Sequence, residues 1–352
     1  MTAELITLAD DSQEALDDHL DARGWSDGLP VVAPTAERVD AMVQASGRSA
    51  AESLGPMPPR QGDATIEALA VNAVMAGARP AYFPVIVAAV EAMLEPAFNL
   101  YAVQATTHPC SPLVIVNGPV AAAIGLNSRY GAFGPGVRAN ATIGRAVRLI
   151  LHNVGGGVPG VLDRATQGQP SKYSFCVAEN EAESPWDPLH VERGFDPSQS
   201  TVTVVGCESP HNINDHVSAE APGILATVTA SMANMGANNS YLHGEPVLAL
   251  GPEHAAILAA GGLSKDDIRR HLFDNARIPR EVWSRGGMAD MGQDRFPDQD
   301  AIPVMSDPTS LIVIVLGGFG RHSSWLPTFG DSTRSVTRLV SAELADAPRS
   351  DT

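Results

Sequence analysis

Hydrophobic and polar positions follow a helical spacing in the first part of this chain. The pattern predicts helices at 12–22, from Thr35 onward, from an N-cap at Asp63 to Gly77, and at about 80–94. A proline-rich hinge at 55–59 separates the second and third of these helices. Residues 1–95 are therefore predicted to form a mainly helical region that packs on the core of the protein.

Beyond residue 95 the pattern changes to short apolar runs that end in polar loops containing glycine or asparagine. Four such runs with their loops occur at 113–118, 201–207, 247–251 and 311–318. Continuous apolar runs of this length are typical of strands buried on both faces. Helical patterns lie between them, at 139–152, 221–235, 252–261 and 264–273.

Strands that alternate with helices predict an α/β fold, here a mainly parallel or mixed sheet flanked by helices. This α/β domain is predicted to span 96–340 and to carry the functional site, with a polar tail at 341–352. In open parallel sheets, ligands bind beyond the carboxyl ends of the strands. If the strands are parallel, the four polar loops meet at one edge and form the site.

The composition narrows the functional classes. Forty acidic residues against 23 Lys and Arg give the 352-residue chain a net charge of −17, which argues against nucleic acid or an anionic membrane as a partner. Three cysteines without a CxxC pair suit a reducing compartment, and the N-terminus has no signal-peptide pattern, so a cytoplasmic location is expected. No nicotinamide, flavin or nucleotide motif occurs. The alanine-rich, lysine-poor composition is compatible with a homo-oligomer.

A glycine-rich loop that leads into a helix is the first candidate for substrate binding. It contains Gly134, Gly136, Arg138 and Asn140. The start of a helix offers unpaired N–H groups to an anion, and an arginine can add a bidentate contact. The alternative is a tight turn that closes onto a buried helix.

The segment 104–111 places a histidine close to a thiol. Cys110 is a candidate nucleophile, and His108 is a candidate base or metal ligand. The alternative for Cys110 is a small buried hydrophobic residue.

The segment 206–216 follows a predicted strand and is rich in metal-ligating side chains. Cys207, His211 and His216, together with His108, are the predicted ligands of a divalent metal. Because the spacing in a loop is permissive, a solvated polar loop is the competing interpretation.

The segment 317–330 follows the last predicted strand and combines glycines with reactive side chains. His322 and Ser323 are predicted to act as an acid or base with a nearby nucleophile, and Arg321 is predicted to bind substrate. Asn117, at the end of the first strand, is a further candidate for substrate binding.

Several strings along the chain resemble a bacterial family. They are Trp25-Ser-Asp-Gly-Leu-Pro30, Gln104-Ala-Thr-Thr-His-Pro109, 134–145, 172–180, 184–193 and 317–338. Members of this family resemble proteins that occur with, or are fused to, a small selenoprotein-like domain with a Sec-Gly-Ser-Cys (UGSC-type) motif. The chain lacks a Cys-Gly-Ser-Cys sequence, so the resemblance implies a selenoprotein-like partner subunit and not a redox pair within the chain itself.

These patterns together predict an enzyme or catalytic subunit that acts on a small anionic organic substrate. Metal-assisted hydrolytic or lyase chemistry is favoured because histidines outnumber cysteines in the candidate loops. Two alternatives remain: a non-catalytic substrate-binding subunit of a two-component reductase, and a thiol-dependent enzyme that uses Cys110.

Overall fold

A computed structural model describes residues 6–8, 10–285 and 294–341 of the chain. The helices within these residues are α1 (Gln13–Ala22), α2 (Ala36–Ser46), α3 (Ile66–Met75), α4 (Phe83–Leu94), α5 (Leu100–Gln104), α6 (Pro119–Ala123), α7 (Arg138–Asn153), α8 (Leu189–Glu192), α9 (Ala221–Met232), α10 (Asn239–Leu242), α11 (Pro252–Ala260), α12 (Lys265–Asn275) and α13 (Arg280–Ser284). The strands are β1 (Ser53–Met57), β2 (Gly62–Thr65), β3 (Ser111–Asn117), β4 (Cys176–Ala178), β5 (Thr201–Cys207), β6 (His211–Asn214), β7 (Val247–Leu250), β8 (Arg277–Pro279), β9 (Ala301–Pro303), β10 (Ile312–Val315), β11 (His322–Leu326) and β12 (Val336–Leu339).

Two four-stranded mixed sheets form the centre of the molecule. Sheet 1 has the strand order β12-β5-β3-β4, and sheet 2 has the order β10-β7-β11-β6. Each contains one parallel pair, β3 with β4 and β7 with β10, and its remaining pairs are antiparallel. The predicted α/β fold with a mixed sheet flanked by helices is therefore confirmed, although two sheets take the place of one.

The two sheets pack face to face between two layers of helices. Along β3, Leu113 and Ile115 face a shared core that also contains Ala249 and Ile314 of sheet 2. The alternate residues of β3, such as Val114, face the helices of the N-terminal region. Since successive strand residues point to opposite faces, this double cover explains why the strands are apolar at every position.

The two sheets exchange one strand each. β6 follows β5 of sheet 1 in the chain but pairs with β11 of sheet 2, and β12 follows β11 of sheet 2 but pairs with β5 of sheet 1. Each sheet therefore depends on a strand from the other half of the α/β region, which ties the two halves into one unit.

The N-terminal region differs from its predicted form in one place. Asp63 lies in β2, which forms a hairpin with β1, and Thr65 is the residue that N-caps α3. The side chain of Thr65 accepts the Ala68 N–H at 3.1 Å, so its hydroxyl oxygen provides the cap. α3 and α4 pack in the same core as the outer face of sheet 1. Of the tail predicted at 341–352, residues 342–352 lie outside the described residues.

The ends of the strands define two edges of the sandwich. The backbone N–H of Asn180, after β4, donates to the carbonyl of Val315 at the end of β10, so the carboxyl ends of β3, β4, β7 and β10 share one edge. β5 runs antiparallel to β3, and its carboxyl end lies at the opposite edge. The expectation that all four polar loops meet at one edge is therefore wrong for the loop after β5.

Among the described residues, no single helix has the length and apolar composition needed to cross a membrane. The segments Pro80–Leu94 and Pro96–Gln104 meet that test only as a joined pair, which is bent by 73°.

Candidate functional site

The predicted site residues divide between the two edges of the sandwich. His108 lies just before β3, beside the loop that follows β5, whereas His322 begins β11 at the opposite edge. Each histidine meets polar side chains from distant parts of the sequence. We call the group of His108, Glu208, Asp163, Lys172 and Arg148 the His108 site, and we call His216 with His322 the His322 pair.

A carboxylate holds one nitrogen of the His108 ring. Nε2 of His108 lies 2.9 Å from Oε1 of Glu208, and the two side chains are only 13% and 22% exposed. An ionised carboxylate accepts hydrogen bonds and cannot donate them, so Nε2 carries the proton. In the neutral ring the lone pair is then on Nδ1, which is buried and has no hydrogen-bond partner among the residues that the structure describes.

The carboxylate itself is held in place by the surrounding loops. Oε1 of Glu208 also accepts the backbone N–H of Asn238 at 3.1 Å. The amide of Asn238 donates to the carbonyl of Phe329 at 2.5 Å, and the Phe329 ring packs edge-on against His108. These contacts fix the orientation of the imidazole, as a catalytic base requires.

Two cations share one carboxylate on the other side of this edge. Nζ of Lys172 lies 2.7 Å from Oδ2 of Asp163, and Nη2 of Arg148 lies 3.3 Å from the same oxygen. The Asp163 side chain is 4% exposed. Burial lowers the pKa of Arg148, with Asp163 opposing that shift. Two positive groups thus meet one carboxylate here, and Glu208 supplies a second carboxylate to the His108 site.

The histidine and the cations belong to one site. Nε2 of Gln169, in the loop before Lys172, donates to the carbonyls of Pro109 and Cys207, the neighbours of His108 and Glu208. The thiol of Cys110 lies within electrostatic reach of Lys172, Asp163 and Glu208. Lys172, Asp163 and Glu208 therefore all lie near the buried Cys110 thiol.

The thiols do not fit the roles predicted for them. Cys110 is 1% exposed and packs in the core beneath sheet 1. Burial raises its pKa to about 12, so the neutral thiol predominates and is a poor nucleophile. Cys207 faces the core between the sheets, and burial raises the pKa of its thiol well above the ordinary value. The alternative of small buried hydrophobic residues describes both cysteines.

Ser323 is paired with a different histidine from the one predicted. His322 and Ser323 are adjacent in β11 and point to opposite faces. The hydroxyl of Ser323 lies 2.7 Å from Nδ1 of His254 and accepts the Gly251 N–H at 3.0 Å. Nε2 of His254 donates to the carbonyl of Asp215 at 3.0 Å. Burial lowers the pKa of His254, and Ser323 is 4% exposed, so this pair joins α11 to β11 inside the protein.

The predicted metal ligands are not brought together. His211 begins β6 and His216 lies beyond its other end, Cys207 faces the inter-sheet core, and His108 is bound to Glu208. Within the described ranges, no group of three or more His, Cys, Asp and Glu side chains is arranged to hold a metal ion. His216 instead meets His322, with 3.1 Å between their Nε2 atoms.

The predicted substrate-binding side chains are used within the fold. The Arg138 guanidinium donates twice to the carbonyl of Gly77, at 2.9 and 3.0 Å, and Asn140 holds the loop at Asn127. Asn117 donates to Glu179 and Glu181. The glycine-rich loop does precede α7, as predicted. Gly134 and Gly136 lie in the turn between Tyr130, whose ring packs on Gly318, and that helix.

Sequence reasoning missed several members of the His108 site. Glu208 was visible only as one of several polar loop residues, and Asp163 and Arg148 carried no motif. Lys172 had one signal: the chain contains two lysines, and both form buried ion pairs, Lys172 with Asp163 and Lys265 with Glu192. Because lysine is rarely buried without a partner, such a scarce lysine marks a position worth testing.

Comparison with known proteins does not name a relative. No family model matches the chain, and no match was found among curated proteins.

Proposed function

We propose that the protein is an enzyme that uses His108 as a general base on a small anionic organic substrate. Nδ1 of His108 accepts a proton from the substrate, or from a water that attacks it, while Glu208 stabilises the imidazolium that forms. Lys172 and Arg148 attract the anionic group of the substrate. The reaction class that follows is a lyase or a hydrolase, in which proton removal starts bond cleavage.

The unpartnered Nδ1 of His108 is the observation that carries the proposal. A buried acceptor without a partner costs about 1–3 kcal/mol, so such an atom calls for an explanation, and proton transfer supplies one for Nδ1 of His108. Its ring is oriented by a carboxylate that a backbone N–H holds in turn. This is the arrangement of base and orienting group found in nucleophile-activating and proton-transfer sites.

The alternative functions predicted from the sequence have less support than a general base at His108. The high pKa and burial of Cys110 argue against the thiol-dependent alternative. A substrate-binding subunit that works with a selenoprotein-like partner stays the competing proposal, since the positive charge near Lys172 serves binding as well as catalysis. We also propose a cytoplasmic location, because all three cysteines are free. The homo-oligomer stays a prediction.

Deuterium incorporation from D2O tests the base directly. The protein is incubated with a panel of small anions that carry an acidic C–H bond, including pyruvate, malonate, acetoacetate and 3-hydroxybutyrate, and proton NMR follows exchange and cleavage. We expect the wild type to accelerate exchange or cleavage of at least one compound. The His108→Gln variant should lose about 10²–10⁴-fold of that rate, as expected for removal of a general base.

His271→Gln is the matched control, because His271 lies on α12 in the outer helical layer. It should retain the wild-type rate. Thermal unfolding with the same compounds measures binding separately. Anions that raise the melting temperature without any exchange or cleavage would favour the substrate-binding subunit. Undiminished exchange in His108→Gln would contradict the assignment of the base.

A further inference from the structure

The His322 pair lies outside the His108 site, at the opposite edge of the sandwich. His216 follows β6, His322 begins β11, and both residues are solvent-exposed. Their Nε2 atoms are 3.1 Å apart, and the rings are nearly perpendicular, at 77°. Two nitrogens of this kind that face each other either share a proton or bind a common cation.

The separation of the two nitrogens fits a metal ion. Zinc binds imidazole nitrogen at about 2.0–2.1 Å. Two nitrogens 3.1 Å apart, each at that distance from one ion, subtend an angle of roughly 98° at the metal. This angle lies between those of octahedral and tetrahedral coordination, so one ion can bind both nitrogens at their present separation.

The far side of the His322 ring is oriented for the same purpose. Nδ1 of His322 lies 2.9 Å from Oδ1 of Asn212, which makes Nδ1 the donor and leaves the lone pair on Nε2. Ligating histidines regularly donate their second N–H to an oxygen in this way.

Arg321 holds together the two segments that carry these histidines. Its guanidinium donates to the carbonyls of His216 and Ser218, at 3.1 and 3.3 Å. Its backbone adopts φ +51°, the left-handed region, and its N–H donates to Glu253 at 2.8 Å. A non-glycine residue in this conformation is strained. The strain is offset by contacts that fix the distance between His216 and His322, and this positioning explains Arg321 better than substrate binding does.

We propose that His216 and His322 bind a divalent transition metal, with zinc, cobalt or nickel as the favoured ions. Imidazole nitrogen suits these metals, whereas magnesium and calcium prefer oxygen. Within the part of the chain that the structure describes, no third His, Cys, Asp or Glu joins the pair. The remaining coordination positions are therefore taken by water or by an oxygen ligand that replaces it.

Equilibrium dialysis of the full chain against zinc chloride, after removal of metal with a chelator, tests the proposal. We expect about one zinc per chain, lost in both His216→Ala and His322→Ala. Asn212→Leu keeps both ligands and should weaken binding by about 10–100-fold. His108→Gln and His271→Ala should bind like the wild type, which separates this site from the proposed active site.

Cobalt substitution adds a spectroscopic readout. Absorption of bound Co²⁺ in the visible range should appear in the wild type and disappear in His322→Ala, while circular dichroism verifies that the exposed substitutions leave the fold intact. Failure of the wild type to bind zinc or cobalt overturns the proposal. Wild-type zinc binding by both alanine variants does so as well, since the metal would then lie elsewhere.

Discussion

His108 and His322 face similar constraints at opposite edges of one sandwich, but their surroundings give them different chemistry. Each ring donates one N–H to a side-chain oxygen, at 2.9 Å in both cases. The acceptor for His108 is a carboxylate in a largely buried site. The other nitrogen of the His108 ring has no partner within the described part of the chain. The acceptor of His322 is an amide on an exposed strand, and its other nitrogen meets a second imidazole.

This comparison indicates that the hydrogen-bond partner of one ring nitrogen determines whether the other nitrogen is better suited to proton transfer or to metal binding. A carboxylate stabilises the imidazolium and so favours proton transfer. A neutral amide only orients the ring, which leaves a lone pair suited to a metal. Residue type alone, histidine near a strand end, is the same in the two places.

The largest effect, on the rate of exchange or cleavage, should come from replacing the carboxylate of Glu208 beside His108. A Gln in place of Glu208 can donate its amide N–H to Nε2 of His108 and so move the ring proton to Nδ1. We therefore expect Glu208→Gln to lower the exchange or cleavage rate by about 10²–10⁴-fold. NMR assays with the most responsive compound of the panel measure this change. A rate within twofold of wild type would show that the carboxylate has no such role.

The opposite substitution, an amide replaced by a carboxylate beside His322, should have a smaller effect, and this effect is on zinc binding. Asn212→Asp gives His322 a carboxylate acceptor, which should make its Nε2 a stronger metal ligand. We expect about tenfold tighter zinc binding than in the wild type. Equilibrium dialysis against zinc chloride measures this change. Weaker zinc binding by Asn212→Asp would count against the proposed coordination.

The two edges should also differ in how much stability is lost when a glycine packed against its neighbours is replaced by alanine. A Cβ at Gly251 would lie 2.1 Å from the carbonyl oxygen of His322, which belongs to rigid backbone. A Cβ at Gly157 would lie 2.5 Å from the end of the Gln104 side chain, which can move. We expect Gly251→Ala to lower the free energy of unfolding by about 1–3 kcal/mol, and Gly157→Ala by less.

Urea unfolding measured by circular dichroism tests this order. Gly262→Ala is unsuitable as a control, because Gly262 has φ +79°. Gly206, whose Cβ would make ordinary contacts at 3.4 and 4.0 Å, is the better comparison. If Gly157→Ala is the more damaging substitution, the loop around Gln104 is more rigid than its contacts indicate.

The smallest difference between the edges should appear in the pH dependence of stability. Burial lowers the pKa of His254 beside the His322 pair and of His243 at the other edge. A depressed histidine pKa contributes stability that is present above the unfolded value of about 6.5 and lost as pH falls toward the folded value. The free energy of unfolding should therefore fall below about pH 6.5, with a contribution from each of these two histidines.

Unfolding at pH 7.5 and 5.5 tests this, with His254→Gln and His243→Gln as matched variants. Each variant should lose less stability on acidification than the wild type does, because it has one fewer buried histidine to protonate. An unchanged dependence in both variants would assign the acid sensitivity to other groups.

The sequence by itself determined the local structure and the layered character of the fold. Ser12, Thr35 and Ser264 N-cap helices close to the predicted starts, and Ser264 with Asp267 forms the capping box that the sequence indicates. The apolar strands indicated cover on both faces. These features depend on residues within a turn or two of each other, so spacing along the chain is enough to find them.

Only the tertiary structure decided which side chains each histidine contacts. Glu208 is 100 positions from His108, and His216 is 106 positions from His322. The antiparallel direction of β5 and the exchange of β6 and β12 bring these pairs together. Strand direction and pairing depend on how whole sheets bury their faces, and a local pattern of apolar residues is the same for either direction.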